Sequence, residues 1–217
     1  MTTTIPNQTP PLHKSTALAL IEAAERLFGQ HGIDAVSLRQ IRLEACAGNN
    51  SAVSYHFRDR EKLVRAIWDY RLPMLEDLRR PMLERLIGEG RQQDPDALLR
   101  VLLLPNYELR DTQGQHRYAA FFRHALRWKN GTAIRNAQLH TTPASAKAMQ
   151  LFYALRPDLT PALMDYRLRH ATCMFFDMSV ERDTEISNGM AVIPEADFLA
   201  EGIAKVGAVC LRPPIRN

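Results

Sequence analysis

From Ser15 onward, apolar residues recur at three- and four-residue spacing. Ala17, Leu20, Ile21, Ala24, Leu27 and Phe28 fall on one stripe of a helix, and Glu22 and Arg26 stand four apart on another face, where an ion pair supports it. Gly32 follows where a left-handed residue closes such a helix, with Ile33 placed to fold back on it. Ser37-Leu38-Arg39-Gln40 reads as a capping box, which starts a second, short helix running to Ala45. Gly48-Asn49-Asn50 breaks that helix, because Gly and Asn tolerate turn geometry. Ser51 to Phe57 then forms a third, and Asp59 caps a fourth that carries Leu63, Val64, Ile67 and Trp68.

After Pro73 the pattern stays helical, with segments predicted over 74–88 (bending at Pro81), 95–104, 115–129, 143–155, 161–183 and 195–211, separated by Pro, Gly and Asn. No sustained alternation of period two appears, so no strand is predicted. The expected fold is all-α. Residues 1–14, rich in Thr, Pro, Asn and Gln, form a mobile arm. Residues 15–71 form a three-helix helix-turn-helix head, and residues 72–217 a larger helical domain.

Composition adds exclusions. With 46% hydrophobic and 24% charged residues, the chain is an ordinary globular one, neither disordered nor a disulfide scaffold. No apolar run approaches the ~20 residues of a membrane span, and Met1 to Pro11 lacks the regions of a signal peptide, so a cytoplasmic protein with no membrane partner is expected. Cys46, Cys173 and Cys210 lack metal-binding spacing, and His116, His124, His140 and His170 are scattered, so neither a metal nor a cofactor is expected. There is no GxxxxGK[ST] loop, GxGxxG turn, HExxH helix or GxSxG elbow, which weighs against an enzyme. The net charge of +4 is compatible with nucleic acid but does not require it.

The third helix has the chemistry of a groove reader. Asn50, Ser51 and Ser54 offer hydrogen-bonding groups to base edges, Ala52 can meet a thymine methyl, and no acidic residue occurs from Ala47 to Phe57. Tyr55, His56 and Arg60, with Lys14 and Arg39, can reach phosphates. Plainer roles exist for some of these: Asn49 and Asn50 in the turn, His56 as a structural histidine, Val53 and Phe57 in the core.

The order Ser37-Leu38-Arg39-Gln40-Ile41, then Asn49-Asn50-Ser51-Ala52-Val53-Ser54-Tyr55-His56-Phe57, then Asp59-Arg60-Glu61-Lys62-Leu63 resembles the TetR family of regulators over Ser15 to Arg71. Cys46 stands where such sequences often have Gly, Arg42 where they often have a small residue, and the turn is a residue longer than the commonest form. The resemblance implies a repressor that binds near-palindromic operator DNA as a homodimer, with Ser37, Arg39, Asn49, Asn50, Ser51, Ser54, Tyr55, His56 and Arg60 at the DNA. It also implies a small-molecule effector among the middle helices.

Two features of the larger domain bear on those expectations. Helix 195–211 has one stripe of Leu199, Ile203, Val206 and Cys210 and a second of Ala200, Ala204, Gly207 and Ala208, with Glu201 and Lys205 as its polar side. A helix apolar nearly all round is buried on both faces, so Ala200, Ala204, Gly207 and Ala208, with Phe175 of the neighbouring helix, are the expected dimer interface. For the ligand, Phe121, Phe122, Arg123, His124, Trp128, Met149, Phe152 and Met174 mix aromatic, polarizable and polar groups, although such residues also build ordinary cores. The competing readings are an all-helical small-molecule-binding protein or enzyme that does not touch DNA, and an activator in place of a repressor.

Overall fold

The structure, a computed structural model, describes residues 16–45, 57, 59–138 and 141–214. All its regular elements are helices: α1 (Thr16–His31), α2 (Leu38–Glu44), α3 (Arg60–Gly88), α4 (Pro95–Glu108), α5 (Arg117–Arg127), α6 (Gly131–Ala137), α7 (Pro143–Ala154), α8 (Pro161–Ser187) and α9 (Glu195–Leu211).

The local signals at the start of the chain act as their chemistry dictates. Gly32 takes a φ of +83° and its N–H donates to the Phe28 carbonyl at 2.9 Å, closing α1, while Ile33 is buried. The Ser37 hydroxyl accepts from the Gln40 N–H at 3.2 Å and the Gln40 side chain accepts from the Ser37 N–H at 2.8 Å, a complete capping box. Asp59 caps α3 by accepting from the Lys62 N–H at 2.8 Å.

The prolines behave differently from expectation. Instead of breaking near Pro73, α3 runs unbroken for 29 residues through both Pro73 and Pro81. Both rings lie on the exposed side, and the carbonyls they free belong to exposed Asp69 and Asp77, where solvent can take the place of the lost bond. The buried face meanwhile continues through Leu75, Glu76, Arg79, Leu83 and Leu86. Likewise α4 passes its Pro105 and ends at Glu108, not at residue 104. The short α6 was not anticipated.

Two cores share α3 and α5. One joins α1 and α2 to Leu63, Val64, Ile67 and Trp68 of α3, and is completed by Tyr118, Phe121 and Ala125 of α5. The other packs the later part of α3 with α4, α7, α8 and α9. Phe122 touches both, its ring 6.4 Å from Trp68 and 5.7 Å from Phe176. At the α1–α5 crossing a Cβ on Gly29 would stand 3.0 Å from the Phe121 nitrogen, so a larger residue there would have to push the two helices apart by a few tenths of an ångström. Polar ties hold the head elsewhere: Arg71 of α3 grips buried Glu25 of α1 with two bonds of 2.7 Å, Arg26 pairs with Glu44 of α2, and the indole of Trp128, just after α5, donates to Asp34 at 3.0 Å.

Pro105 has no N–H, so the Val101 carbonyl one turn earlier loses its helical partner inside the protein. Arg79 of α3 supplies one: its Nε donates to Val101 at 3.1 Å, and an outer nitrogen reaches Glu76 at 3.5 Å. Glu76 in turn accepts from the Ala144 N–H in the first turn of α7. Burial pulls the Arg79 guanidinium below its ordinary range, opposed by Glu76. One i,i+3 pair thereby joins three helices.

Arg79→Met should leave a buried carboxylate without its counter-charge and a buried carbonyl without its partner, lowering stability by about 3–5 kcal/mol. The double change Glu76→Gln with Arg79→Met should recover part of that loss. Urea unfolding at a fixed protein concentration measures both, and a single-variant loss below about 1 kcal/mol would show that the pair is not holding the helices. A second expectation concerns pH. His124 lies beside Gly32 in the α1–α5 seam, where burial, with Arg123 and Arg127 nearby, holds its imidazole below the ordinary 6.5. Below pH 6.5 the unfolded chain gains a proton that the folded chain refuses. The His124 contribution is therefore intact above that pH and lost as pH falls, before carboxylates titrate near about 4. His124→Gln should flatten the fall in melting temperature between about pH 7 and 5.5; an unchanged slope would remove His124 as its source.

Candidate functional site

The head presents two described edges around the stretch that carries the groove-reading chemistry. Asn49, Asn50, Ser51, Ser54, Tyr55 and His56 lie outside the described residues, as do Cys46 and Val53. Before that stretch, Ser37 is occupied as the N-cap of α2, and Arg39 is exposed. After it, Phe57 packs partly buried against the head core. Arg60 opens α3 and spends its Nε on the Val36 carbonyl at 2.8 Å, fixing the start of α3 to the turn before α2.

A cavity of about 90 Å³ lies between α3, α4, α5, α7 and α8. Trp68, Leu72, Leu75 and Arg79, spaced by four, three and four residues on one face of α3, form one wall. Tyr118, Phe122 and Leu126 of α5 form another, and Gln138, Met149, Leu168 and Arg169 close it from the other helices. The walls are mostly apolar, but four polar atoms of lining residues are buried without a hydrogen-bond partner: Trp68 Nε1, the Tyr118 hydroxyl, Gln138 Oε1 and Arg169 Nε. Leaving such groups unpaired costs roughly 1–3 kcal/mol each, and ligand sites are where a fold tolerates that cost. Burial, strengthened by the charge of Glu25, pushes the Tyr118 phenol far up, so it stays protonated.

Of the ligand residues expected from sequence, Met149 lines this cavity, as does Phe122. The others are placed elsewhere. Phe121 is wholly buried in the head core, its ring 6.5 Å from Phe28 and 6.3 Å from Trp68. Arg123 pairs with Asp177 of α8, His124 sits in the α1–α5 seam, and Trp128 holds Asp34. Phe152 is in the larger core and Met174 packs against it. Helical spacing found their faces but not which of the two cores each face meets. The polar lining residues were missed because Trp68 reads as core from its spacing, and because a lone Gln or Arg on a helix reads as solvated.

The expected interface also divides. Phe175 and Gly207 lie inside the subunit: Phe175 is wholly buried, its ring so near Gly202 that a Cβ there would meet it at 2.7 Å, and Gly207 is buried beside Leu99. Ala200, Ala204 and Ala208 are exposed, one stripe along α9 beside the Glu201–Lys205 pair at 3.7 Å. Ile203, Val206 and Cys210 fill the core behind.

Among the described residues no cluster of His, Cys, Asp or Glu could hold a metal ion, and no helix is long and apolar enough to cross a membrane. No curated protein matches the chain. Residues 20–67, from the buried stripe of α1 to the first turns of α3, match the family model described as bacterial regulatory proteins, tetR family. Over this head the chain is similar to the tetR family of DNA-binding transcriptional regulators, and the regular elements of the described residues are all helices.

Proposed function

We propose that the protein is a homodimeric repressor in the cytoplasm that leaves its operator when a small molecule enters the cavity between α3, α5 and α8. The observation that carries this reading is the double use of Trp68 and Tyr118, which are cavity wall and head core at once. A ligand that moves either ring disturbs the packing of the head core. Gln138, a lining residue, adds a second link, since its side-chain nitrogen donates to Asp69 of α3 while its oxygen is buried and unpaired. For release, the ligand must bind the DNA-incompetent arrangement more tightly than the competent one.

At the DNA, residues 15–71 act as the head. Asn50, Ser51 and Ser54 read base edges, with Asn49 shaping the turn before them, while Ser37, Arg39, Tyr55, His56 and Arg60 approach the backbone. In the remainder, 72–217, the exposed Ala200, Ala204 and Ala208 stripe serves a two-fold interface, where small side chains allow close approach of a second α9.

Selection of bound duplexes from random DNA by the purified protein should yield a near-palindrome whose half-sites lie roughly 34–36 Å, or a multiple, apart. No enrichment would defeat the operator reading. Sedimentation at micromolar concentration should show a dimer, and Ala204→Glu, which sets like charges against each other across the axis, should give monomers; a monomeric wild type removes the interface.

A further inference from the structure

The charge and hydrogen-bonding capacity left over in the cavity specify more than its existence, provided that it is the effector site proposed above. Three guanidinium groups line it, from Arg79, Arg135 and Arg169, and no carboxylate does. Two are already answered from behind: Arg79 by Glu76 at 3.5 Å and Arg135 by Asp165 at 3.7 Å. Arg169 has no ion pair among the described residues. Its guanidinium lies 5.9 Å from the ring of exposed Tyr166, and its Nε is buried with no acceptor. Of the three arginines lining the site, Arg169 is thus the one without a carboxylate partner among the described residues, and it stands beside mostly apolar walls.

The neutral groups point the same way. Trp68 Nε1 is a donor only, and Tyr118, held protonated, has a free hydroxyl. Among the unpaired atoms of the lining residues, Trp68 Nε1 and Arg169 Nε donate, the Tyr118 hydroxyl can donate or accept, and Gln138 Oε1 accepts, its orientation set because the amide nitrogen on the same side chain donates to Asp69. A carboxylate supplies two oxygens to the three groups that can donate and one negative charge to Arg169. Leu72, Leu102, Leu103, Phe122 and Leu168 then ask for an apolar body. At about 90 Å³ the cavity lies below the roughly 300–1,000 Å³ of sites for drug-sized ligands, which limits that body to a ring or a short chain.

We infer that the cavity binds a small monoanionic organic acid, with an apolar body, its carboxylate held by Arg169 and by the donors of Trp68 and Tyr118, and a hydroxyl or N–H on the body donating to Gln138. A cationic ligand meets Arg169 and is repelled. A neutral ligand of the same shape leaves that charge unanswered.

Calorimetric titration of the full chain with matched probes tests this. One series is 3-hydroxybenzoate, 3-hydroxybenzyl alcohol and 3-hydroxybenzylamine; the other is hexanoate, hexanol and hexylamine. The carboxylate should bind tightest in at least one series and the amine weakest. Arg169→Gln should weaken carboxylate binding at least about tenfold, as loss of a charge-assisted contact does, and change alcohol binding by less than about twofold. Arg169→Glu should exchange the preference from carboxylate to amine, which a merely structural role would not produce. Should the charge-reversed chain fail to fold by circular dichroism, the Arg169→Gln comparison decides alone. Binding of an alcohol or amine as tightly as the acid, no binding by any probe, or indifference to Arg169→Gln overturns the inference. Affinity for the selected duplex, measured with each probe present, separates the two readings. An amine or alcohol that binds and releases DNA upholds the effector site and sinks the acid. An acid that binds through Arg169 without changing DNA affinity upholds the ligand class and sinks the effector role.

Discussion

Arg79 and Glu76 are the junction around which the helices of the larger core are set. A Leu or Met at Arg79 would fill the same space between α3 and α4, and buried ion pairs are often no better than well-packed apolar side chains for stability. What an apolar side chain cannot do is answer the Val101 carbonyl that Pro105 strips of its partner. The pair is therefore explained by a backbone defect in a neighbouring helix, and Glu76 follows because a buried guanidinium needs a counter-charge. That carboxylate then places α7 through the Ala144 N–H. Within the apolar packing that holds α4 and α7 against α3, this polar link between the three helices answers one proline.

Continuity of α3 gives that junction its reach. Trp68 in the head core, Arg79 at the junction and Leu86 in the larger core stand on a single helix that is unbroken at Pro73 and Pro81. The first turns of α3 are also held from the side, by Asn130 on Glu61 at 2.9 Å and by Gln138 on Asp69. A helix packed into two cores has few small adjustments open to it; it shifts between discrete packings or stays. The ligand response proposed for this chain uses that property, with Trp68 and Gln138 as the places where a ligand would bias the choice.

What was legible in the sequence was local. Gly32, the Ser37–Gln40 box and the Asp59 cap each depend on a few adjacent residues, and each has the geometry its chemistry calls for. The resemblance over the head rested on the Ser37–Gln40 box and the Asp59 cap together with Asn49 to Phe57, and the family match at residues 20–67 bears it out. Helix boundaries near prolines were less legible, because the effect of a proline turns on what faces its freed carbonyl. At Pro73 and Pro81 that is the exposed side, and at Pro105 it is an arginine 26 residues earlier in the chain. No window of sequence contains that information.

The same limit explains the misplaced site residues. Periodicity identifies an apolar face, and Phe121, Phe152 and Phe175 are indeed buried, but α5 serves two cores at once and spacing cannot assign its faces between them. Gly207 shows the complementary error: small residues at helical spacing look alike whether they admit a partner subunit or the chain's own Leu99. The cavity is harder still to read in advance, because its character lies in atoms and not in residues. The Trp68 ring belongs to the core, as its spacing says, while its N–H is left unpaired in a residue that lines the cavity; the Gln138 nitrogen is taken by Asp69 and its oxygen is left unpaired. A binding site made from the unused halves of structural side chains leaves no motif, and becomes visible only when every buried donor and acceptor is matched to its partner.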